Sequence, residues 1–379
     1  MTPERPAGLE DYGWDGAWER VRGGAGPAGA QAARVTAADR GFCVVAGEGG
    51  EVVAASDAQR SQAAVSPVTG DWVLFSDDPG GAAVIDTVLE RRTAVVRRDP
   101  ALTVTKQTLA ANVDVVGVLV SLDLPPNAAR IERFLVLAAD SGAEPLIVLS
   151  KGDLLDGPAR RRVRDEVSAL APGIDILETS AAEGWGLDEL RGLLAPQPAF
   201  MAPGLSEAGT PRESSAGRWP RRTFVALGPS GVGKSTLLNA LVGTPVLATG
   251  GVRGGDGAGR HTTVRRELLL LPGGGVLIDT PGLRSVSLWE ADLALDEVFN
   301  DIAGRAGDCR FGDCTHRSEP GCAVQQAVAA GELDPARLER YQRLWEELAR
   351  QSEARAERRR LQSRGRRGTK TRRRTRRRP

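Results

Sequence analysis

A chain of 379 residues is long enough for two or three domains, and 50 Lys and Arg against 49 Asp and Glu leave a formal charge of only +1. That balance conceals an asymmetry, because residues 355–379 hold 14 Lys or Arg against Glu357 alone and everything before them is net acidic. No run approaches the roughly 20 apolar residues of a membrane span, and the acidic start, with Glu4, Glu10, Asp11 and Asp15, lacks a signal-peptide core, so a cytoplasmic protein with no membrane partner is expected.

Residues 1–32, rich in Gly, Ala and Pro, are expected to be unstructured. From 33 to 99, short β-prone runs at 41–46, 51–54, 71–75, 83–88 and 93–96 alternate with Gly, Asp and Pro turns. That spacing suits a five-stranded β-barrel of the OB-fold type, although strand count alone equally allows a small β-domain without a ligand. Residues 100–299 alternate strand and helix: strand 114–121, helix 126–141, strand 145–150, helix 157–170, strand 174–179 and helix 187–194. A flexible insertion at 198–221 interrupts them, and strand 223–227, helix 235–242 and strands 267–271 and 275–279 complete the set. The pattern predicts a multidomain α/β protein whose central domain is a parallel sheet with helices on both faces and ligand loops at the carboxyl ends of its strands. Residues 300–361 form a helical domain containing a Cys/His cluster and a long charged helix, and 362–379 are a basic disordered tail.

The sharpest motif is GPSGVGKS, Gly228-Pro229-Ser230-Gly231-Val232-Gly233-Lys234-Ser235, with Thr236 behind it. A β-prone run enters it and an amphipathic helix leaves it, the context a phosphate loop requires. Backbone N–H groups would converge on phosphate oxygens at the helix N-terminus, Lys234 would add a point charge and Ser235 a hydroxyl for Mg²⁺. Downstream, Asp279-Thr280-Pro281-Gly282 closes an apolar strand, where Asp279 can hold Mg²⁺ through water and the Gly282 N–H can reach a γ-phosphate. Between them lies Gly259-Arg260-His261-Thr262-Thr263. Either threonine can complete the Mg²⁺ shell, and Thr263 is the favoured one.

Base identity is expected from Ser150-Lys151-Gly152-Asp153, ending a buried strand. An aspartate there accepts both the ring N–H and the exocyclic amine of guanine, and the lysine stem can lie across the ring. Ser180 and Ala181, ending the next strand, are placed for a backbone contact to the guanine carbonyl. The bland alternative is that Asp153 merely caps the following helix. The base-reading segments precede the phosphate loop, the reverse of the usual order, so the domain reads as a circularly permuted P-loop GTPase whose loops share one sheet edge.

Cys309, Cys314, His316 and Cys322 offer three thiolates and an imidazole within fourteen residues, suited to one closed, structural Zn²⁺ rather than to a disulfide framework. The barrel, the permuted motifs GPSGVGKS, GRHTT and DTPG, and the segment CRFGDCTHRSEPGCAV together resemble the RsgA family of ribosome small subunit-dependent GTPases over about residues 33–350. The resemblance implies GTP hydrolysis to GDP stimulated by the small ribosomal subunit, late in that subunit's assembly, with barrel and zinc domain contacting ribosomal RNA; a monomer is expected. Ser150 stands where the family pattern carries asparagine or threonine, and the 198–221 insertion and the arginine tail have no counterpart in it.

Leu283 follows the DTPG motif where Ras-like proteins carry a water-orienting glutamine, so intrinsic hydrolysis is expected to be slow. His261 is the natural substitute, with Lys234 as the other catalytic residue. The tail reads as phosphate-neutralising or as merely solubilising. Two rivals stay open: an RNA-binding assembly scaffold with a nearly inactive nucleotide site, and a P-loop enzyme acting on ATP or a small acceptor.

Overall fold

The computed structural model describes residues 7–56, 61, 63–98, 106–196, 221–247, 266–280, 291–353 and 356. Its contacts divide the chain into two compact units, Met1–Val96 with Thr108–Val286, and Arg97–Gln107 with Ser287–Pro379. The first holds the barrel and the nucleotide domain. All of the expected insertion at 198–221 except Arg221, together with the loop 250–263, residues 281–290 and the tail, lies outside the described residues.

Five strands make the barrel: β1 (Gln31–Ala38), β2 (Phe42–Gly47), β3 (Gly50–Ala55), β4 (Trp72–Asp77) and β5 (Ala83–Val88). They run in the order β1-β2-β3-β5-β4, and β4 returns to pair with β1, closing the circle and leaving no free edge among them. Alternate residues fill the interior, with Ala33, Val35, Val45, Val73 and Ile85 fully buried. The barrel expected from sequence is present, but one strand differs. The run at 93–96 belongs to β6 (Ala94–Arg98), which pairs with β7 (Lys106–Ala111) in a separate two-stranded sheet, and β1 takes the vacant place. β1 escapes sequence reading because it is alanine-rich, buried on both faces from Ala32 to Ala37, and carries a buried arginine, so it shows no alternation.

The structure also corrects the expectation that residues 1–32 are unstructured. Leu9–Tyr12 form a 3₁₀ turn and Gly16–Arg22 form α1, capped by Asp15, whose carboxylate accepts from the Ala17 and Trp18 N–H groups. Trp14 packs edge-on against Trp72 with ring centroids 4.7 Å apart, and Trp18 lies 6.0 Å from the same ring. Two buried tryptophans and a capped helix outweigh the Gly and Ala content, since each indole removes a large apolar area from water.

The nucleotide domain contributes β8 (Val115–Ser121), α2 (Ala128–Asp140), β9 (Glu144–Ser150), α3 (Gly157–Leu170), β10 (Ile176–Glu178), α4 (Leu187–Leu194), β11 (Thr223–Leu227), α5 (Lys234–Val242), β12 (Glu267–Leu270) and β13 (Val276–Asp279). Strand order is β10-β9-β8-β11-β13-β12, parallel except for β12. β8, β9, β11 and β13 are apolar runs buried on both faces, as a parallel sheet covered by helices demands. β12 also pairs with β1 at Glu267 and Ala37, so barrel and nucleotide domain share one eleven-stranded sheet.

The second unit is helical: α6 (Asp292–Val298), α7 (Asn300–Ala306), α8 (Ala323–Ala329) and α9 (335–353). Phe299 is its buried centre, with the Tyr341 ring edge-on at 5.5 Å and the Arg337 guanidinium over its face at 4.6 Å. Arg337 donates to both Asp301 oxygens at 2.7 and 2.9 Å and to the Val298 carbonyl at 3.0 Å, which satisfies a charge that is almost fully buried.

Candidate nucleotide site and metal centre

The carboxyl ends of β9, β10, β11 and β13 lie along one sheet edge, so the loops that follow them are neighbours despite their separation in the chain. β11 runs into the loop Gly228–Gly233, and α5 begins at Lys234 with Gly233 as its N-cap at φ 96°. Gly231 and Gly233 hold left-handed φ values of 81° and 96°, which L side chains rarely adopt and which turn successive N–H groups inward. Val232 between them is buried in the core and pins the loop from below, while Pro229 and Ser230 form its outer lip. Lys234 Nζ donates to the Gly228 and Pro229 carbonyls, each at 2.7 Å. Ser235 stands in the first turn of α5 with Thr236 beside it, exposed.

Asp279 ends β13. Burial raises its carboxyl above the ordinary range, and Glu267, its cross-strand partner in β12, adds to the rise while Lys234 opposes it. Two carboxylates side by side at the phosphate-loop edge favour a cation there, which suits Mg²⁺.

The base loop meets the phosphate loop directly. Ser150 Oγ donates to the Val232 carbonyl at 2.7 Å, so a serine makes the cross-link between the two loops. Lys151, at φ 58° in the left-handed region, runs its stem along the phosphate loop: a Cβ on Gly233 would sit 4.0 Å from Lys151 Cε and 3.9 Å from Ser150 Oγ. Asp153 accepts from Ser180 Oγ at 2.6 Å through one oxygen, and Ser180 Oγ itself accepts from the Glu183 N–H at 3.1 Å. Ala181 follows in the same turn.

Three further residues frame this loop. Trp185 packs against Gly152, so closely that a Cβ there would meet the indole at 2.3 Å, and its backbone bridges to Ser180. Arg160 sits over the Trp185 ring at 4.9 Å and donates to the Gly152 carbonyl at 3.2 Å. Asp123, just past β8, bonds the Lys151 ammonium at 2.6 Å. Sequence reasoning missed all three, because each acts through a neighbour rather than within a motif. The only available signal was an aromatic five residues after Ser180. His261, Thr262, Thr263, Gly282 and Leu283 lie outside the described residues.

In the second unit the Cys309, Cys314, His316 and Cys322 donor atoms all lie within 4.8 Å of one another. Cys309 Sγ and Cys322 Sγ are 3.8 Å apart, and His316 Nδ1 lies 3.6 and 3.5 Å from them. A tetrahedron with thiolate bonds of about 2.3 Å has edges of about 3.8 Å, so Cys309, His316 and Cys322 stand at ligating separations, with Cys314 within 4.8 Å of each. Burial pushes the His316 imidazole below its ordinary value, with Glu319 opposing, and this keeps it in the neutral form that binds metals. The peptide around His316 is fixed, since Gln325 and Gln342 both donate to its carbonyl, at 2.6 and 2.7 Å. Glu319 braces the preceding turn by accepting from the Thr315, Arg317 and Ser318 N–H groups.

A phosphate loop tied to a base loop that precedes it in the chain, on a sheet continuous with a closed five-stranded barrel, defines a circularly permuted P-loop GTPase. The RsgA GTPase family profile matches residues 88–215 and 205–289, and the chain belongs to that family. The Small ribosomal subunit biogenesis GTPase RsgA of Streptomyces coelicolor is 44% identical over 349 residues, 89% of this chain and 86% of the relative. That of Opitutus terrae is 40% identical over 331 residues, 84% and 83% of the two chains. Among solved structures, YjeQ from Thermotoga maritima superposes with a TM-score of 0.58 at 27% identity, covering 84% of this chain and 99% of that one. YloQ, a circularly permuted GTPase, shares the fold with a TM-score of 0.55 at 23% identity over 83% and 93% of the two chains.

Proposed function

We propose that the protein hydrolyses GTP to GDP and phosphate, stimulated by the small ribosomal subunit, and uses the reaction to leave that subunit late in its assembly. The single observation that carries the reading is the Ser150 to Val232 hydrogen bond, which joins a guanine-reading loop to a phosphate loop so that one nucleotide spans both. Asp153 reads the guanine edge, the N–H groups of 230–235 cradle the phosphates, and Lys234 leaves its two carbonyl acceptors to neutralise charge developing on the β- and γ-phosphates. Ser235 and Thr263 hold Mg²⁺, with Asp279 and Glu267 as the acidic ground behind them. When bound, the ion supplies charge neutralisation across the transferred phosphoryl group. His261 orients the attacking water when the protein is bound to the subunit.

The cysteine and histidine donors hold one structural Zn²⁺, leaving no open coordination position for chemistry. The barrel and the metal-centred unit provide the surfaces for ribosomal RNA, and the protein works in the cytoplasm as a monomer. Among the described residues no helix is long and apolar enough to cross a membrane. Phosphate release measured with isolated small and large subunits tests the reading: stimulation by the small subunit alone supports it, and equal rates with either, or with none, overturn it in favour of a nucleotide-binding scaffold.

A further inference from the structure

We propose that Asp123 is a positioning residue for guanine-nucleotide recognition: it anchors the Lys151 ammonium so that the lysine's aliphatic stem forms a fixed apolar face for the purine ring. The inference rests on the assignment of Ser150–Asp153 as the base loop. Asp123 lies two residues beyond Ser121, which pairs in register with Ser150 on the adjacent parallel strand, so the carboxylate stands beside the base loop at the same sheet edge. Both of its oxygens are engaged. Oδ2 accepts from Lys151 Nζ at 2.6 Å and Oδ1 accepts from the Ser121 hydroxyl.

The lysine is thereby held at three points. Its backbone is set in the left-handed region at φ 58° and ψ 40°, its Cε lies beside Gly233, and its head is tied to Asp123. A free lysine has four rotatable bonds, and freezing them when the base arrives would subtract from affinity. Anchoring the head beforehand removes that cost. The pair is about one-third exposed on each side, 31% for Lys151 and 34% for Asp123, where an ion pair adds little to folding, so its effect belongs in ligand binding.

Titration of the full chain with GDP, IDP and ADP tests this. In Asp123→Ala, GDP and IDP affinities should fall together by about 3- to 5-fold, because the stem meets the ring face that both bases share and not the exocyclic amine that separates them. Asp123→Glu should recover most of the loss. Lys151→Met keeps an apolar stem without the ammonium, and in that background Asp123→Ala should cost nothing further. An Asp123→Ala protein that binds GDP as tightly as the wild type or more tightly, or that loses the same factor in the Lys151→Met background, overturns the inference. A wild-type protein with no preference for GDP over ADP sinks the guanine reading itself, and the inference with it.

Discussion

The Ser150 hydroxyl has one proton to give, and it goes to the Val232 carbonyl inside the phosphate loop. Ser150→Ala should therefore uncouple the two loops at a cost of about 1 kcal/mol in GDP binding, while Ser150→Thr keeps the donor and the affinity; calorimetric titration of both variants checks it. Asp153 bears more. If it reads guanine as proposed, its removal strips two charge-assisted bonds from the base, so Asp153→Ala should weaken GDP binding by roughly 100-fold and leave ADP binding where it was, measured by competition against a fluorescent nucleotide. His261→Ala should abolish subunit-stimulated phosphate release while GTP still binds; stimulated turnover at the wild-type rate would remove His261 from the mechanism. Asp15 gives a pH prediction. Burial raises its carboxyl, but hydrogen bonds from Arg92 and from the Trp18 and Ala17 N–H groups outweigh it and hold the group below its ordinary 3.8. A lowered folded value means the stabilisation is complete above the ordinary carboxylate range and disappears as pH falls through the folded value. The packing of α1 should thus loosen on acidification below about pH 4, seen as a change in tryptophan emission, and Asp15→Asn should remove that transition.

At the scale of elements, the N-terminal segment, the barrel and the nucleotide domain meet on one side chain. Arg34 of β1 is 2% exposed, stacks on Trp72, and donates to the carbonyls of Tyr12, Gly70 and Asn112, one from each part. Arg34→Met should cost about 3–5 kcal/mol by taking the guanidinium from the Tyr12 and Asn112 carbonyls, while Gly70 keeps the Asn112 side-chain amide, read as a lower denaturation midpoint with the slope unchanged. Neither this knot nor α1 was legible in the sequence, because an arginine inside an alanine run and two tryptophans in a Gly-rich stretch declare their partners only in three dimensions. The central domain was legible for the opposite reason. Its strands are unbroken apolar runs and its loops carry residues whose spacing is fixed by phosphate and base geometry, so Gly228–Ser235, Ser150–Asp153 and Asp279 arrive at one edge. Asp123, Trp185 and Arg160 were not legible, since each supports a motif residue from a different element. The metal loop 309–322 is a third case. Spacing alone named its four donors, and a zinc-selective chelator added in excess Mg²⁺ should melt this helical unit while leaving GDP affinity unaltered, followed by far-UV dichroism and titration on the same sample.

For the whole molecule, the charge is segregated: an acidic body precedes a terminal run of arginines. Deleting 363–379 should flatten the dependence of small-subunit affinity on salt, and an unaltered slope assigns the run to solubility instead. The permuted strand order carries its own demand during synthesis. β8 obtains its partner β9 early, yet its opposite edge waits for β11, which leaves the ribosome only after α2, α3, β10, α4 and residues 197–220 have been made. Through that interval the nascent polypeptide exposes a ready template for unwanted cross-strand pairing.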